Sequence, residues 1–477
     1  MEFDLSKRHC HYFNETTKIP HGSFNEKAIS NWLVDFAKEH GLKYVQDEDF
    51  NVIIYKGASE GYENAEPLIL QAHMDMVCEK NKDSDHDFEK DPLDLYVEDG
   101  WLKARGTTLG ADDCAGVAYM LAVLEDDELP HPPLECIFTT MEEVGLIGSM
   151  KLKAEDIHGK RMVSLDGGGE VTTLLSSCGG CQVDLKHGAV YEKTTAPAYA
   201  LGVRGLLGGH SGGEISKEKG NANVLAARVV KEMMFAGADI KVVSFNGGLK
   251  GNAIPREADI VFVSDTDEAK LQEMVKASEK AIMEELEFSD AGFRLEFVKA
   301  EADRCLVQEA SDEVIDYAYL MPNGFMHRSM AIEGLTLTSL NLGIVRTYED
   351  HVEYTVTIRS ALGSGVSNLV NILKTLASRL NWEVNTSAAY PGWNYSPVSA
   401  MRDIYRNALK DLYGKDLVEI AAHGGCECGV FSDLVPGIDI VSCGPVTMDI
   451  HTPEERLDLA SFDRTYEILR YIVKACH

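Results

Sequence analysis

Leu70-Gln71-Ala72-His73-Met74-Asp75 closes an apolar run that begins at Pro67. The run reads as a strand over 67–72, and His73 and Asp75, two positions apart, leave the same face of an extended chain. A neutral imidazole binds zinc through one ring nitrogen, and a nearby carboxylate holds such a ring in the tautomer that metal binding needs. His-x-Asp alone also describes any strand end with two solvated polar residues. What gives it weight is that four further acidic or histidine-bearing segments follow, each at the end of an apolar run.

Working outward, strand-like runs at 51–55, 134–140 and 162–166 alternate with a helical run near 113–124. Upstream, Ser23-Phe24-Asn25-Glu26 has the form of a capping box, followed by Ala28, Ile29, Trp32, Leu33, Phe36 and Ala37 at helical spacing until Gly41. Near-continuous apolar strands alternating with helices predict an α/β layered sheet covered by helices. From about Leu185 the texture changes to longer strands with one polar face. Val352, Tyr354, Val356 and Ile358 alternate there with His351, Glu353, Thr355, Thr357 and Arg359, the pattern of an open antiparallel sheet. Helical runs near 221–235, 269–286 and 366–380 interleave with it, which predicts a separate α+β domain over 185–392. After the turn-rich 391–397 the first texture returns, with a helix at 398–413, a strand at 438–442 and a helix at 461–475. Residues 1–184 and 393–477 are therefore expected to form one domain, with the middle inserted.

A chain of 477 residues exceeds one core, and two domains is the default expectation, with three as the alternative. Its 45% hydrophobic and 26% charged residues are ordinary for a globular protein. A net charge of -32, from 45 basic and 77 acidic side chains, repels phosphate backbones and anionic membranes and argues against nucleic-acid or lipid-surface binding. Met1-Glu2-Phe3-Asp4-Leu5 lacks the basic start and apolar core of a secretory signal, and no apolar run approaches membrane-spanning length, so a cytoplasmic protein is expected. The 11 cysteines then read as reduced thiols, and Cys178-Gly179-Gly180-Cys181, with no second such pair, as a turn between strands.

The chemistry lies in a few segments. Asp112, between Gly110-Ala111 and a helix start, is placed to point back toward His73, while Asp113 is as well explained as a helix cap. Glu142 and Glu143 end a buried strand. They can share a task only if the strand has already stopped, because neighbours on an extended chain face opposite sides. Asp166 closes the next strand, and His451 precedes Thr452-Pro453-Glu454-Glu455, which reads as a helix start. His73, Asp112, Glu143, Asp166 and His451 offer enough mixed nitrogen and oxygen donors for two zinc-like ions if one carboxylate bridges them. Glu142, beside a ligand but not needed as one, is free to act as general base and later acid.

Taken together, His73-Met74-Asp75, Gly110-Ala111-Asp112, Met141-Glu142-Glu143-Val144-Gly145, Ser164-Leu165-Asp166, Gly208-Gly209-His210-Ser211-Gly212, Asn252-Ala253-Ile254-Pro255-Arg256-Glu257 and His451-Thr452-Pro453-Glu454 resemble the co-catalytic dizinc exopeptidase family of carboxypeptidase G, aminoacylase and carnosinases. Within that family the pattern is similar to the Xaa-His dipeptidases. The resemblance implies a catalytic domain with a mixed sheet flanked by helices, an inserted α+β lid and dimerisation domain, and a homodimer. It implies two divalent ions, zinc first with cobalt or manganese as alternatives. Asp112 would bridge them, His73 and Asp166 would complete one site, and Glu143 and His451 the other. Asp75 would orient His73, and Glu142 would be the catalytic carboxylate. His210 would stabilise the oxyanion, and Asn252, Arg359 and the backbone at Gly425 would hold the C-terminal carboxylate of the substrate. The activity implied is metal-dependent hydrolysis of aminoacyl-histidine and carnosine-like dipeptides, with N-acyl amino acid deacylation or carboxypeptidase action on the same metal pair as the alternative. One departure is Asp113, where many relatives have Asn.

Overall fold

The computed structural model describes residues 3–477. The chain divides into two units. One is the chain up to Ser177 together with Trp393–Ala421 and Cys426–His477, and the other is Cys178–Gly392 with Ala422–Gly425. The position 184, read from sequence as the first boundary, falls inside the strand Gly179–Gly188 of the second unit.

Among the described residues the first unit is built on a six-stranded sheet in the order Lys43–Gln46, Val52–Lys56, Leu134–Thr139, Leu68–His73, Arg161–Ser164, Asp439–Ser442. The first two pairings are antiparallel and the other three parallel, so the sheet is mixed. Leu68–His73 lies in the interior and is buried at every position, as its continuous apolar run requires. Because the four last-named strands run the same way, the segments that follow them emerge at one end of the sheet, where open α/β sheets place their sites.

Against Leu68–His73 packs the helix Ala111–Glu125, buried from Ala111 to Leu124 except at Asp112. A helix apolar all round belongs in a core, and helices Arg8–Thr16 and Leu459–Ala475 cover its other sides. Tyr119 anchors it by donating from its hydroxyl to the carbonyl of Phe462 at 2.8 Å. Gly116 sets how closely this helix approaches the strand. A Cβ there would stand 2.8 Å from Ala72 Cβ and 2.7 Å from Leu165 Cβ.

The second unit carries a nine-stranded sheet with antiparallel pairings, in which His351–Ser360 lies between Thr336–Thr347 and Gly179–Gly188. Val352, Tyr354, Val356 and Ile358 are buried as the alternation predicts. Thr355 and Arg359 of the opposite row are buried as well, so that face is not simply solvated. Helices Ala222–Phe235, Glu268–Glu285 and Gly363–Arg379 match the helical runs in the sequence, and Gln308–Leu320 is one the periodicity did not single out.

Three sequence expectations change. Cys178-Gly179-Gly180-Cys181 is no turn but the start of the strand Gly179–Gly188. Its glycines serve close backbone approach, since a Cβ on Gly179 would lie 2.4 Å from the Gly392 nitrogen and one on Gly180 2.3 Å from the Ile358 oxygen. The helix Lys27–Glu39 is preceded by Arg8–Thr16 and has no side-chain cap. Residues 452–455 form a turn, and the last helix begins at Leu459, capped by Asp458, which accepts from the Ser461 N–H at 2.7 Å. Among the described residues no helix is long and apolar enough to cross a membrane.

Alanine is ordinarily the better helix former by ~1 kcal/mol, but at Gly116 the added methyl meets the strand and overpacking costs about 1–3 kcal/mol. Gly116→Ala is expected to lower the thermal midpoint and to weaken divalent-metal binding by moving Asp112 away from His73. Differential scanning calorimetry and metal titration check this, and a raised midpoint contradicts it.

Candidate metal centre

His73, the last residue of its strand, is 1% exposed, and Asp75 is fully buried. The His73 Nδ1 lies 3.0 Å from the main-chain oxygen of Asp75 and 3.5 Å from its carboxylate. A proton on Nδ1 satisfies those oxygens and leaves Nε2, 3.0 Å from Asp112 Oδ1, as the atom that could hold a metal ion. The Asp75 carboxylate in turn accepts from the N–H groups of Glu142 and Glu143, at 3.0 and 3.3 Å, and from the Ser23 hydroxyl at 2.8 Å.

Strand Leu134–Thr139 has ended before the glutamates. Met141 turns the chain at φ 52, a conformation costly for a side-chain-bearing residue, and its N–H is held by Glu26 at 3.1 Å. Glu142 and Glu143 therefore escape the alternation of a strand, and their carboxylates gather with His73 within 4.8 Å. Ser23 and Glu26, which look in the sequence like a capping box, are thus committed to this site and not to the helix that follows.

At the helix start, Gly110 takes φ 68 and the Asp112–Asp113 peptide is cis. Both aspartates have non-helical backbone, and Asp113 accepts from the Gly116 N–H at 3.1 Å, a local cap. Asp112 Oδ2 lies 3.5 Å from His451 Nε2, which is 2.9 Å from Glu143. His451 itself has φ 62, in the loop joining the paired strands Thr447–Met448 and Arg456–Asp458. Two groups of potential ligands result, His73–Asp112–Asp166 and Asp112–Glu143–His451, each with its donor atoms within 4.8 Å and sharing Asp112. A separate group, His9, Cys10 and Asp463, lies elsewhere in the unit, and there the Lys7 ammonium already stands 2.6 Å from Asp463.

The electrostatics favour a cation. Burial pushes Glu142 up to about 9, with Asp166 adding to the rise, and pushes Asp166 up to about 8, with Asp112 adding to it. Burial would raise Asp112 too, but His451 and His73 hold it below the usual carboxylate range. Asp112 and Glu143 raise His451 to about 10. Protons thus stand where positive charge is short. Imidazole and carboxylate donors in this mixture suit zinc, cobalt or manganese, so the residues fit a pair of divalent ions.

In the second unit, Arg359 is 8% exposed, and among the described residues no carboxylate pairs with it. Its Nη1 donates to the Tyr390 hydroxyl at 3.2 Å and its Nε to the Ser211 hydroxyl at 3.4 Å. His210, next to Ser211, accepts on Nδ1 from the N–H groups of Gly212 and Gly213, at 3.1 and 3.4 Å, so its proton is on Nε2. The Asn252 carbonyl accepts from the Ser211 N–H at 2.9 Å. Gly425 lies against Tyr390, where a Cβ would come within 2.6 Å of the ring. His210, Asn252, Arg359 and Gly425 are thereby linked through Ser211 and Tyr390. Sequence reasoning missed those two, as well as Glu26. Tyr390 carried no signal beyond its place before the Pro391 linker.

Residues 69–475 match the profile of peptidase family M20/M25/M40. The chain is 34% identical over 472 residues to the cytosol non-specific dipeptidase of Escherichia coli (strain K12), spanning 97% of this chain and 96% of that one. Among solved structures it is similar to aminoacylhistidine dipeptidase from Vibrio alginolyticus, with a TM-score of 0.92 at 32% identity over 98% of this chain and 96% of that one. A likeness to aminopeptidase PepT from Bacillus cereus ATCC 10987, with a TM-score of 0.58 at 17% identity over 100% of both chains, is one of fold alone.

The pKa shifts predict how the metal-free protein responds to pH. Between the ordinary values of 3.8 for Asp166 and 4.5 for Glu142 and their raised folded values, only the unfolded chain has released the proton, so stability falls as pH rises. His451, raised from 6.5, acts in the same direction. The thermal midpoint of chelator-treated protein is expected to drop from about pH 5 to about pH 9, and added zinc to restore more of it the higher the pH, because binding displaces protons. A zinc-induced gain independent of pH contradicts this.

Proposed function

Because the chain belongs to peptidase family M20/M25/M40 and is a peptide-bond hydrolase, we propose that it is a dipeptidase working with two divalent ions, with aminoacyl-histidine dipeptides the first substrates to test. The observation that carries the reading is Asp112, whose two oxygens face histidines from separate parts of the chain at 3.0 and 3.5 Å. His73, Asp112 and Asp166 would hold one ion, and Asp112, Glu143 and His451 the other. When bound, such a pair polarises the scissile carbonyl and makes a water nucleophilic near neutral pH.

The side chains do the rest. Asp75 keeps His73 in the tautomer that offers Nε2 outward. Glu142 takes a proton from the attacking water onto its carboxylate and passes it to the leaving amine nitrogen. Its burial, which strengthens its hold on a proton, suits the storage step. Arg359 is assigned to the substrate's C-terminal carboxylate, since a buried guanidinium without an anion lacks what its planar fork best binds. Asn252 and the backbone of Gly425 are assigned to the same carboxylate. The Nε2–H of His210 is assigned to the oxyanion that forms as the carbonyl becomes tetrahedral. The preference for histidine is supported by the similarity to the Vibrio aminoacylhistidine dipeptidase, and the name of the Escherichia coli relative is a reason to test a broad panel.

Glu142→Gln is expected to lower kcat by about 10²–10⁴ while elemental analysis still finds two ions per chain. Retained turnover contradicts the assigned base. On the parent enzyme, hydrolysis of Xaa-His and other dipeptides ahead of N-acetyl amino acids supports the dipeptidase reading, and the reverse order supports a deacylase. Arg359→Met should raise KM for dipeptides at least about 10-fold, as expected when a buried charge pair loses one partner, and leave C-terminal amides unaffected. It should also raise the thermal midpoint of the ligand-free protein by removing an unpaired buried charge.

A further inference from the structure

We infer that Glu455 is a positioning residue for the metal centre, tying the loop that carries His451 to the loop that carries Asp112 and so setting the distance between those two ligands. The inference rests on the two-metal reading above. Glu455 is 2% exposed, and its carboxylate accepts from three successive backbone N–H groups: Leu109 at 2.8 Å and Gly110 at 3.1 Å on one oxygen, Ala111 at 2.9 Å on the other. Gly110, at φ 68, bends the chain so that these donors converge on one anion.

Donors at a helix start are normally satisfied by a residue just before it. Here the nearby Thr108 hydroxyl instead donates to the Val77 carbonyl at 2.7 Å, and the acceptor comes from 344 residues along the chain. That acceptor stands at the base of the His451 loop. The Glu455 N–H donates to the Thr452 carbonyl at 3.0 Å, the Thr452 hydroxyl donates to the Asp449 carbonyl at 2.7 Å, and Arg456 pairs with Asp449 at 3.2 Å. The loop is thus closed on itself, with strand pairing from Met448 to Arg456 beneath it. A closed loop moves as a piece, so its anchor on Leu109–Ala111 fixes where His451 stands relative to Asp112.

The test is Co²⁺ titration of the full-length metal-free chain, read by visible absorption, for the parent, Glu455→Gln, Glu455→Ala and the exposed neighbour Glu454→Gln. The parent and Glu454→Gln are expected to take up two ions with the same spectrum. Both Glu455 variants should bind one of the two ions about 10- to 100-fold more weakly, with an altered absorption band, and lose kcat while KM stays within about two-fold. Glu455→Gln keeps the shape and one acceptor, so it supplies the measurement should Glu455→Ala fail to fold. If both ions bind to Glu455→Gln with parental affinity and spectrum, even with a lowered thermal midpoint, the residue is merely structural and the inference is overturned. A parent that takes up fewer than two ions overturns the two-metal reading itself, a failure recognisable before any variant is measured.

Discussion

The carboxylate of Asp112, 3.0 Å from one histidine and 3.5 Å from another, sits at the centre of a charge problem that the first unit is organised around. Glu142, Glu143 and Asp166 share its surroundings. Two like charges 4 Å apart repel by about 4 kcal/mol at an effective dielectric constant near 20, so several ionised carboxylates cannot coexist there without positive charge. In the metal-free protein that charge comes from protons: His73 and His451 are held protonated to higher pH, and Glu142 and Asp166 stay neutral. Divalent ions would supply the same positive charge at the two groups that share Asp112.

Holding such a cluster together takes a scaffold that leaves its members little freedom. Parallel strands deliver His73, the Glu142-Glu143 pair and Asp166 from one end of a single sheet. Asp75 then joins the first two of these by accepting from both glutamate N–H groups while fixing the His73 ring. Gly116 lets the Asp112 helix lie close against the His73 strand. Met141 and His451 adopt left-handed backbone that carries a cost for residues with side chains. Such strain persists only where the surroundings over-determine it, and here it sits beside Glu142 and at His451 in the cluster.

Much of this was legible in the sequence, for a physical reason. An apolar run that ends abruptly in His-x-Asp or Glu-Glu announces both the strand and the functional group it delivers, so the sheet and its polar ends could be read from local pattern. What misled was side chains with two plausible employers. Ser23 and Glu26 have the spacing of a capping box, yet Asp75 and the Met141 N–H claim them. Thr452-Pro453-Glu454-Glu455 has the composition of a helix start, yet Glu455 is taken by three N–H groups far away in sequence. Local preference for a cap is worth about 1 kcal/mol, and a tertiary site that satisfies a buried carboxylate outweighs it. Gly179 and Gly180 look like turn residues, but only the packed structure reveals that backbone presses against them.

The second unit poses the converse charge problem. Arg359 is nearly as buried as a core residue, and among the described residues its partners are the Ser211 and Tyr390 hydroxyls and the Cys178 sulfur, not a carboxylate. A structural arginine would be paired or exposed, because an isolated buried charge is destabilising. Surfaces selected only for stability would have replaced it with something apolar. The first unit thus meets its carboxylates with protons, whereas the second retains a buried positive charge that, among the described residues, no carboxylate neutralises. Deviations of this kind mark places where folding stability is given up for binding.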